Sequence, residues 1–182
     1  MSVFLAVDLD DGVRAQVAAL IERHRQTLDA KWLRADKLHL TLVFLGNATL
    51  AHVDTFKPLV GALAARHRPF ELSLAGAGTF GTARAPSVVW LGVQGALAGL
   101  AALQADAAKV LLTQPLPGVK VEERERHFTP HVTLARSKRE TAFVDLTRAL
   151  ADFTTPSFLV DHLTLYESSH EVYRPLHQVR LG

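Results

Sequence analysis

The sequence predicts an α+β fold of two packed lobes within one folding unit spanning residues 1–182. Three observations lead there. Stretches of strand character come in pairs separated by helical stretches, in the order β-α-β-β-α-β-β-α-β-α-β-β. The first helical stretch carries apolar residues at helical spacing, which gives it one face to bury. A weak internal repeat links HLTLVFLG (residues 39–46) to HVTLAR (residues 131–136). Antiparallel strand pairs with helices on one side give an α+β arrangement.

Each element has its local reason. SVFLAVDL (2–9) is apolar and ends in alternation, which marks a strand. Asp10 or Asp11 caps a helix whose Val13, Val17, Leu20, Ile21, His24 and Leu28 share one face. KWLR (31–34) is a short strand and Ala35-Asp36-Lys37 a turn. LHLTLVFL (38–45) is a strong strand closed by Gly46-Asn47, and a second helix covers 50–66, ending near Pro69. FELSLAGAGTF (70–80) and SVVWLGV (87–93) form a hairpin. An Ala-rich helix over 96–112 is broken by Pro115, Pro117 and Gly118. The charged run 120–126 is expected to be a mobile, solvated loop. FTPHVTLAR (128–136) is a strand, 141–151 a short helix, and PSFLVDHLTLYESS and VYRPLHQVRL are the two closing strands.

Composition narrows the chemistry. The chain has no cysteine, which excludes disulfides, thiolate catalysis and Cys-ligated zinc, and fits a reducing cytoplasm. Its N-terminus lacks a basic leader, and no apolar run approaches the roughly 20 residues of a membrane helix. A net charge of +2 leaves no basic tail for coating nucleic acid, but allows a small anion or one nucleic-acid end as ligand. The expectation is a cytoplasmic protein without a membrane partner.

The two repeated segments carry the functional signal. Residues i and i+2 of a strand point to one face, so His39 projects with Thr41 and His131 with Thr133. Leu40, Leu42, Val132 and Leu134 turn the other way, into a core. Each strand thus offers an imidazole, which exchanges a proton near neutral pH, beside a hydroxyl that can bond a phosphate oxygen. Two such units face to face suit phosphodiester cleavage: one neutral imidazole as base, one protonated imidazole as acid, and two hydroxyls on the non-bridging oxygens, with no metal required. A single histidine in a strand is ordinarily just half-buried, and threonine is common in strands for steric reasons. A third His-x-Thr, His162-Leu163-Thr164 in DHLTLYES, shows that spacing by itself does not single out a site.

Context does. HLTLVFLG and FTPHVTLAR resemble the signature of the 2H phosphoesterase superfamily, and most resemble its RNA 2′,3′-cyclic phosphodiesterases, the 2′-5′ RNA ligase family. SVFLAVDL is similar to that family's first strand. KWLRADKLHLTLVFLG and FTPHVTLAR carry its flanking residues, and HLTLYESSHEVYRPL is similar to its C-terminal strand pair, with Tyr173 at an aromatic position. The resemblance implies a bilobal α+β fold with pseudo-two-fold symmetry, two antiparallel sheets flanked by helices, and a central groove. It implies metal-independent hydrolysis of RNA 2′,3′-cyclic phosphate termini to 2′-phosphomonoesters, and reversible 2′-5′ joining by the same groups. It implies His39 as general acid, His131 as general base, and Thr41 and Thr133 as phosphate ligands, with no cofactor. The residues themselves are symmetric and do not assign acid and base. The expected partners are RNA 3′ ends or small 2′,3′-cyclic nucleotides, bound by a monomer. The third His-x-Thr is expected to be structural.

Further residues follow from position. Arg136, five residues after His131, should face away from it unless the strand ends or bulges. The resemblance makes it a phosphate or substrate contact. Phe128, beside the charged loop, is the better candidate for stacking a base; Phe80 is another, and Trp32 is expected in the core. His127 and His131 are four apart, but Pro130 argues against a shared helical face, so no metal site is expected. Arg124, Arg126, Lys138 and Arg139 could steer an RNA backbone. Two other functions compete with hydrolysis of RNA ends: capture of those ends without turnover, and hydrolysis of another cyclic phosphate.

Overall fold

The computed structural model describes residues 1–82, 84–113, 127–137, 142–169 and 172–182. Its elements follow the predicted order closely. Strand β1 (Ser2–Asp8) leads to helix α1 (Asp11–Arg25), whose N-terminus is capped by Asp10 accepting from the Val13 amide at 2.7 Å. A two-residue strand β2 (Lys31–Trp32) and a 3-10 turn (Ala35–Lys37) precede β3 (His39–Asn47). Then come α2 (Leu50–Ala64), the hairpin β4 (Phe70–Thr82) and β5 (Ala85–Gly95), and α3 (Leu97–Leu112). Strand β6 (His131–Arg136), α4 (Phe143–Ala149), β7 (Phe158–Val160), β8 (His162–Ser168) and β9 (Tyr173–Arg180) complete the chain. The charged run 120–126, including Arg124 and Arg126, and the residues Lys138 and Arg139 lie outside the described residues.

The strands join in the order β7-β4-β5-β6-β3-β1-β8-β9, with β2 beside β6. The pseudo-two-fold runs through the middle of this list. β5-α3-β6 repeats β1-α1-β3, β4 and β8 take equivalent places beside β5 and β1, and β7 and β9 are the two edges. The two expected sheets are therefore halves of one continuous sheet, joined where Leu40 of β3 stands opposite Val132 of β6. Both residues are fully buried, so the seam between the lobes is part of the core.

PSFLVDHLTLYESS is not one strand. It divides at Asp161. Phe158–Val160 pairs with β4 at one end of the sheet, and His162–Ser168 pairs with β1 in the other half. The buried apolar residues shift from Phe158 and Val160 to Leu163 and Leu165, so the alternation changes phase at the break. The helix expected over 141–151 is shorter, and KWLR contributes only two strand residues.

Period-2 alternation divides β1 cleanly. Val3, Leu5 and Val7 join the hydrophobic core, while Phe4 and Asp8 make their side-chain contacts on the opposite face. On β4, Gly78 lies under the ring of Trp90, its cross-strand partner; an added Cβ would fall 2.4 Å from two of its ring carbons. Gly78→Ala therefore displaces Trp90 from beside His131. We expect it to cost about 1–3 kcal/mol of stability by overpacking, read as a lowered urea midpoint. An unchanged midpoint would mean that Trp90 has room to move.

Candidate active site

The two His-Thr pairs meet at the seam. With Leu40 opposite Val132 in antiparallel register, His39 and Thr41 flank one side of that contact and His131 and Thr133 flank the other. Leu40, Leu42, Val132 and Leu134 are buried on the core face, as the alternation requires.

Both imidazoles are held in the same way. The Nδ1 of His39 lies 2.7 Å from the Lys37 carbonyl oxygen, and that of His131 lies 2.8 Å from the Thr129 carbonyl oxygen. A carbonyl only accepts, so each Nδ1 carries a proton and each Nε2 is left for chemistry. His39 Nε2 is 2.8 Å from Thr41 Oγ1. In the neutral ring the threonine donates; in the imidazolium Nε2–H donates, and the hydroxyl proton becomes free for another acceptor.

Aromatic rings enclose both imidazoles. Phe4 is 4.7 Å and Tyr173 5.2 Å from the His39 ring; Phe80 is 4.7 Å and Trp90 5.8 Å from the His131 ring. Burial among these rings pushes the His39 pKa down to about 4. The Lys37 carbonyl and Asp8 oppose the fall, while His131 and Arg14 add to it. Burial also lowers the His131 pKa, against its bond to Thr129, and Arg136 lowers it further. Without a ligand, both rings therefore favour the neutral state.

A bulge in each strand shapes the rest of the site. Between β1 and β3 the register steps from Ala6 opposite Thr41 to Leu5 opposite Val43, leaving Leu42 as an extra residue. Between β5 and β6 it steps from Trp90 opposite Thr133 to Val89 opposite Ala135, leaving Leu134. Each extra residue reverses the alternation beyond it. Phe44 and Arg136, both five residues after a histidine, are thereby returned to the groove face. Arg136 meets the condition the sequence set for it, and Phe44, 42% exposed, is its pseudo-symmetric counterpart.

A cavity of about 880 Å³ opens here, lined by Thr41, Phe44, Phe80, Phe128, His131 and Arg136 among others. His39 and Thr133 are not part of its lining: His39 is reached through its bond to Thr41, and Thr133 is only 8% exposed. Phe128 lines the cavity while packing partly against the core, and Phe80 lines it while standing edge-on to His131. Trp32 packs against the core and donates to the Leu28 carbonyl. Tyr173 meets His39 edge-on and lies 4.9 Å beneath Lys37 Nζ. Phe44 escaped the sequence because a phenylalanine inside an apolar strand looks like core. Superposing the repeats, HLTLVF on HVTLAR, would have paired it with Arg136.

The third His-x-Thr has a different environment. His162 and Thr164 turn toward Asp8 of β1, not toward the seam. Among the described residues no group of three or more histidine or carboxylate side chains is arranged to hold a metal ion, and no helix is long and apolar enough to cross a membrane.

The sequence and the fold are similar to those of known proteins. The sequence model of the 2'-5' RNA ligase superfamily matches residues 12–171. An RNA 2',3'-cyclic phosphodiesterase of Geobacillus stearothermophilus is 31% identical over 171 residues, covering 92% of this chain; the chain spans 52% of that relative's length. One from Escherichia coli K12 is 32% identical over 167 residues, covering 92% of this chain and 86% of the relative. The crystal structure of E. coli LigT complexed with 3'-AMP superposes with a TM-score of 0.71 at 30% identity, covering 99% of this chain and 97% of that one.

Proposed function

The chain belongs to the 2'-5' RNA ligase superfamily, and from that membership we propose that it is an RNA 2′,3′-cyclic phosphodiesterase that opens terminal cyclic phosphates to 2′-phosphomonoesters with two histidines and no metal. The observation that carries this is the pairing of two imidazoles, both with Nε2 unclaimed by backbone, across one seam, each with a threonine on its own strand.

His131 Nε2 takes a proton from water, whose oxygen attacks phosphorus. Negative charge builds on the non-bridging oxygens, where Thr41 and Thr133 donate. The P–O3′ bond breaks, and His39 Nε2–H protonates the departing O3′. The products are a 2′-phosphomonoester and a free 3′-hydroxyl. A ribose 5′-hydroxyl in place of water gives 2′-5′ joining by the same groups. Arg136 beside His131 favours the neutral form that a general base needs, as Arg14 does for His39, so the charges around the two rings do not by themselves tell acid from base.

The cavity beyond the histidines suits a nucleoside. Phe44, Phe128 and Arg136 present two ring faces and a guanidinium, surfaces on which an unpaired base can stack. The ligand is an RNA 3′ end or a small 2′,3′-cyclic nucleotide, bound by a cytoplasmic monomer acting as one two-lobed domain. Incubation with 2′,3′-cyclic mononucleotides and short RNAs ending in cyclic phosphate tests this directly. Hydrolysis should proceed at the same rate in excess EDTA. Abolition by EDTA would point to a metal mechanism, and binding without product would make the protein a capture module.

A further inference from the structure

We propose that Asp8 is a positioning residue for the proton donor: held by the third His-x-Thr strand, its carboxylate orders the surroundings of His39 and supplies a negative charge that opposes the loss of its proton. This rests on His39 acting as the acid in the hydrolysis just described.

The pseudo-two-fold is broken at one telling place. Asp8 is the cross-strand partner of His39, whereas the equivalent partner of His131 is Gly92. A Cβ at Gly92 would fall 2.6 Å from the Ala75 carbonyl oxygen, so the second lobe has no room for a carboxylate there. One imidazole therefore has an acid beside its strand and the other does not. That is an asymmetry the two His-x-Thr sequences do not show.

Strand β8 fixes the carboxylate. Thr164 Oγ1 donates to Asp8 Oδ2 at 2.7 Å, Tyr166 OH donates to Oδ1 at 2.6 Å, and His162 Nε2 lies 2.9 Å from Oδ2. Gln178 Nε2 donates to Thr164 Oγ1 at 3.2 Å, which commits the threonine proton to Asp8. Both carboxylate oxygens accept, as an anion requires. The side chain is only 12% exposed, so solvent screens its field weakly. The same network reaches His39 through packing: Tyr166 stacks on Phe4 at 5.4 Å, and Phe4 lies 4.7 Å from the His39 ring.

The groups facing His39 come from five elements. They are Asp8 from β1, Arg14 from α1, Lys37 from the preceding turn, His131 from β6 and Tyr173 from β9. Asp8 is the anion among them. Behind it, His162 bridges Asp8 and Asp161; burial pulls the His162 pKa down, but its bonds to the two carboxylates outweigh that and raise it. Both ring nitrogens of His162 lie against carboxylate oxygens, which only accept, an arrangement that favours the imidazolium and so partly offsets Asp8.

Two variants with opposite expected signs test the inference. In Asp8→Asn, His39 holds its proton less well. kcat/KM for a 2′,3′-cyclic nucleotide should fall about tenfold on the alkaline side of the pH profile, with the gap closing toward acid pH, for a shift of about one pH unit. In His162→Gln, Asp8 is less offset, so alkaline-side activity should rise relative to wild type. Structural damage alone would lower activity at every pH and in both variants. NMR titration of the His39 imidazole without substrate should show its midpoint lowered in Asp8→Asn and raised in His162→Gln. Unmoved midpoints in folded variants, or a shift of the same sign in both, overturn the inference. Failure of the wild type to hydrolyse any cyclic phosphate would instead overturn the catalytic function, while the NMR comparison still decides whether Asp8 sets the His39 proton.

Discussion

Replacing either His39 or His131 by alanine is expected to lower kcat for a 2′,3′-cyclic nucleotide by about 10²–10⁴, the usual worth of positioned acid–base catalysis. The loss should fall mainly on kcat, because proton transfer matters in the transition state and contributes little to ground-state binding. The double variant should be scarcely worse than the poorer single one, since one proton must be taken and another given within the same displacement. The fold should persist. Both imidazoles sit on the groove face, while the core under them is built from Leu40, Leu42, Val132 and Leu134. Full activity in either folded variant would remove that histidine from the mechanism.

Thr41→Val and Thr133→Val should each lower kcat by about 10²–10³, comparable to losing one oxyanion donor. Valine keeps the branched shape and β-propensity, so the strand is preserved and the hydroxyl alone is lost. The two positions should differ in one respect. Thr41 also bonds His39 Nε2, so its loss leaves the acid without the partner that orients it. Thr41→Val should therefore disturb the alkaline side of the pH profile as well as the rate, whereas Thr133→Val should scale the whole profile down. Steady-state kinetics over pH on the two folded variants checks both statements. Near-wild-type kcat in both would mean that the hydroxyls do not hold the phosphate.

The sequence carried much of this site because the decisive pattern is local. Alternation along a strand is enough to set His39 with Thr41, and His131 with Thr133, apart from their buried neighbours. The capping of α1 by Asp10 and the hairpin of β4 and β5 are local for the same reason. What escaped depends on distant partners. The bulges at Leu42 and Leu134 are defined only against β1 and β5, and without them Phe44 and Arg136 face the wrong way. The break at Asp161 has no glycine or proline to announce it, because a change in the phase of burial makes the division. The Asp8 network joins residues more than 150 positions apart, and a local pattern could show only that a third His-x-Thr existed. The assignment of acid and base came from family resemblance, and the role proposed for Asp8 rests on it.

The most direct measurement is the identity of the product, followed by ³¹P NMR as the enzyme opens a 2′,3′-cyclic nucleotide. A proton donor fixed beside O3′ and a base fixed on the opposite side of phosphorus should yield the 2′-monophosphate alone. The 3′-monophosphate alone would contradict a donor placed beside O3′, and a mixture of the two would contradict a site in which both imidazoles address one phosphorus from set positions.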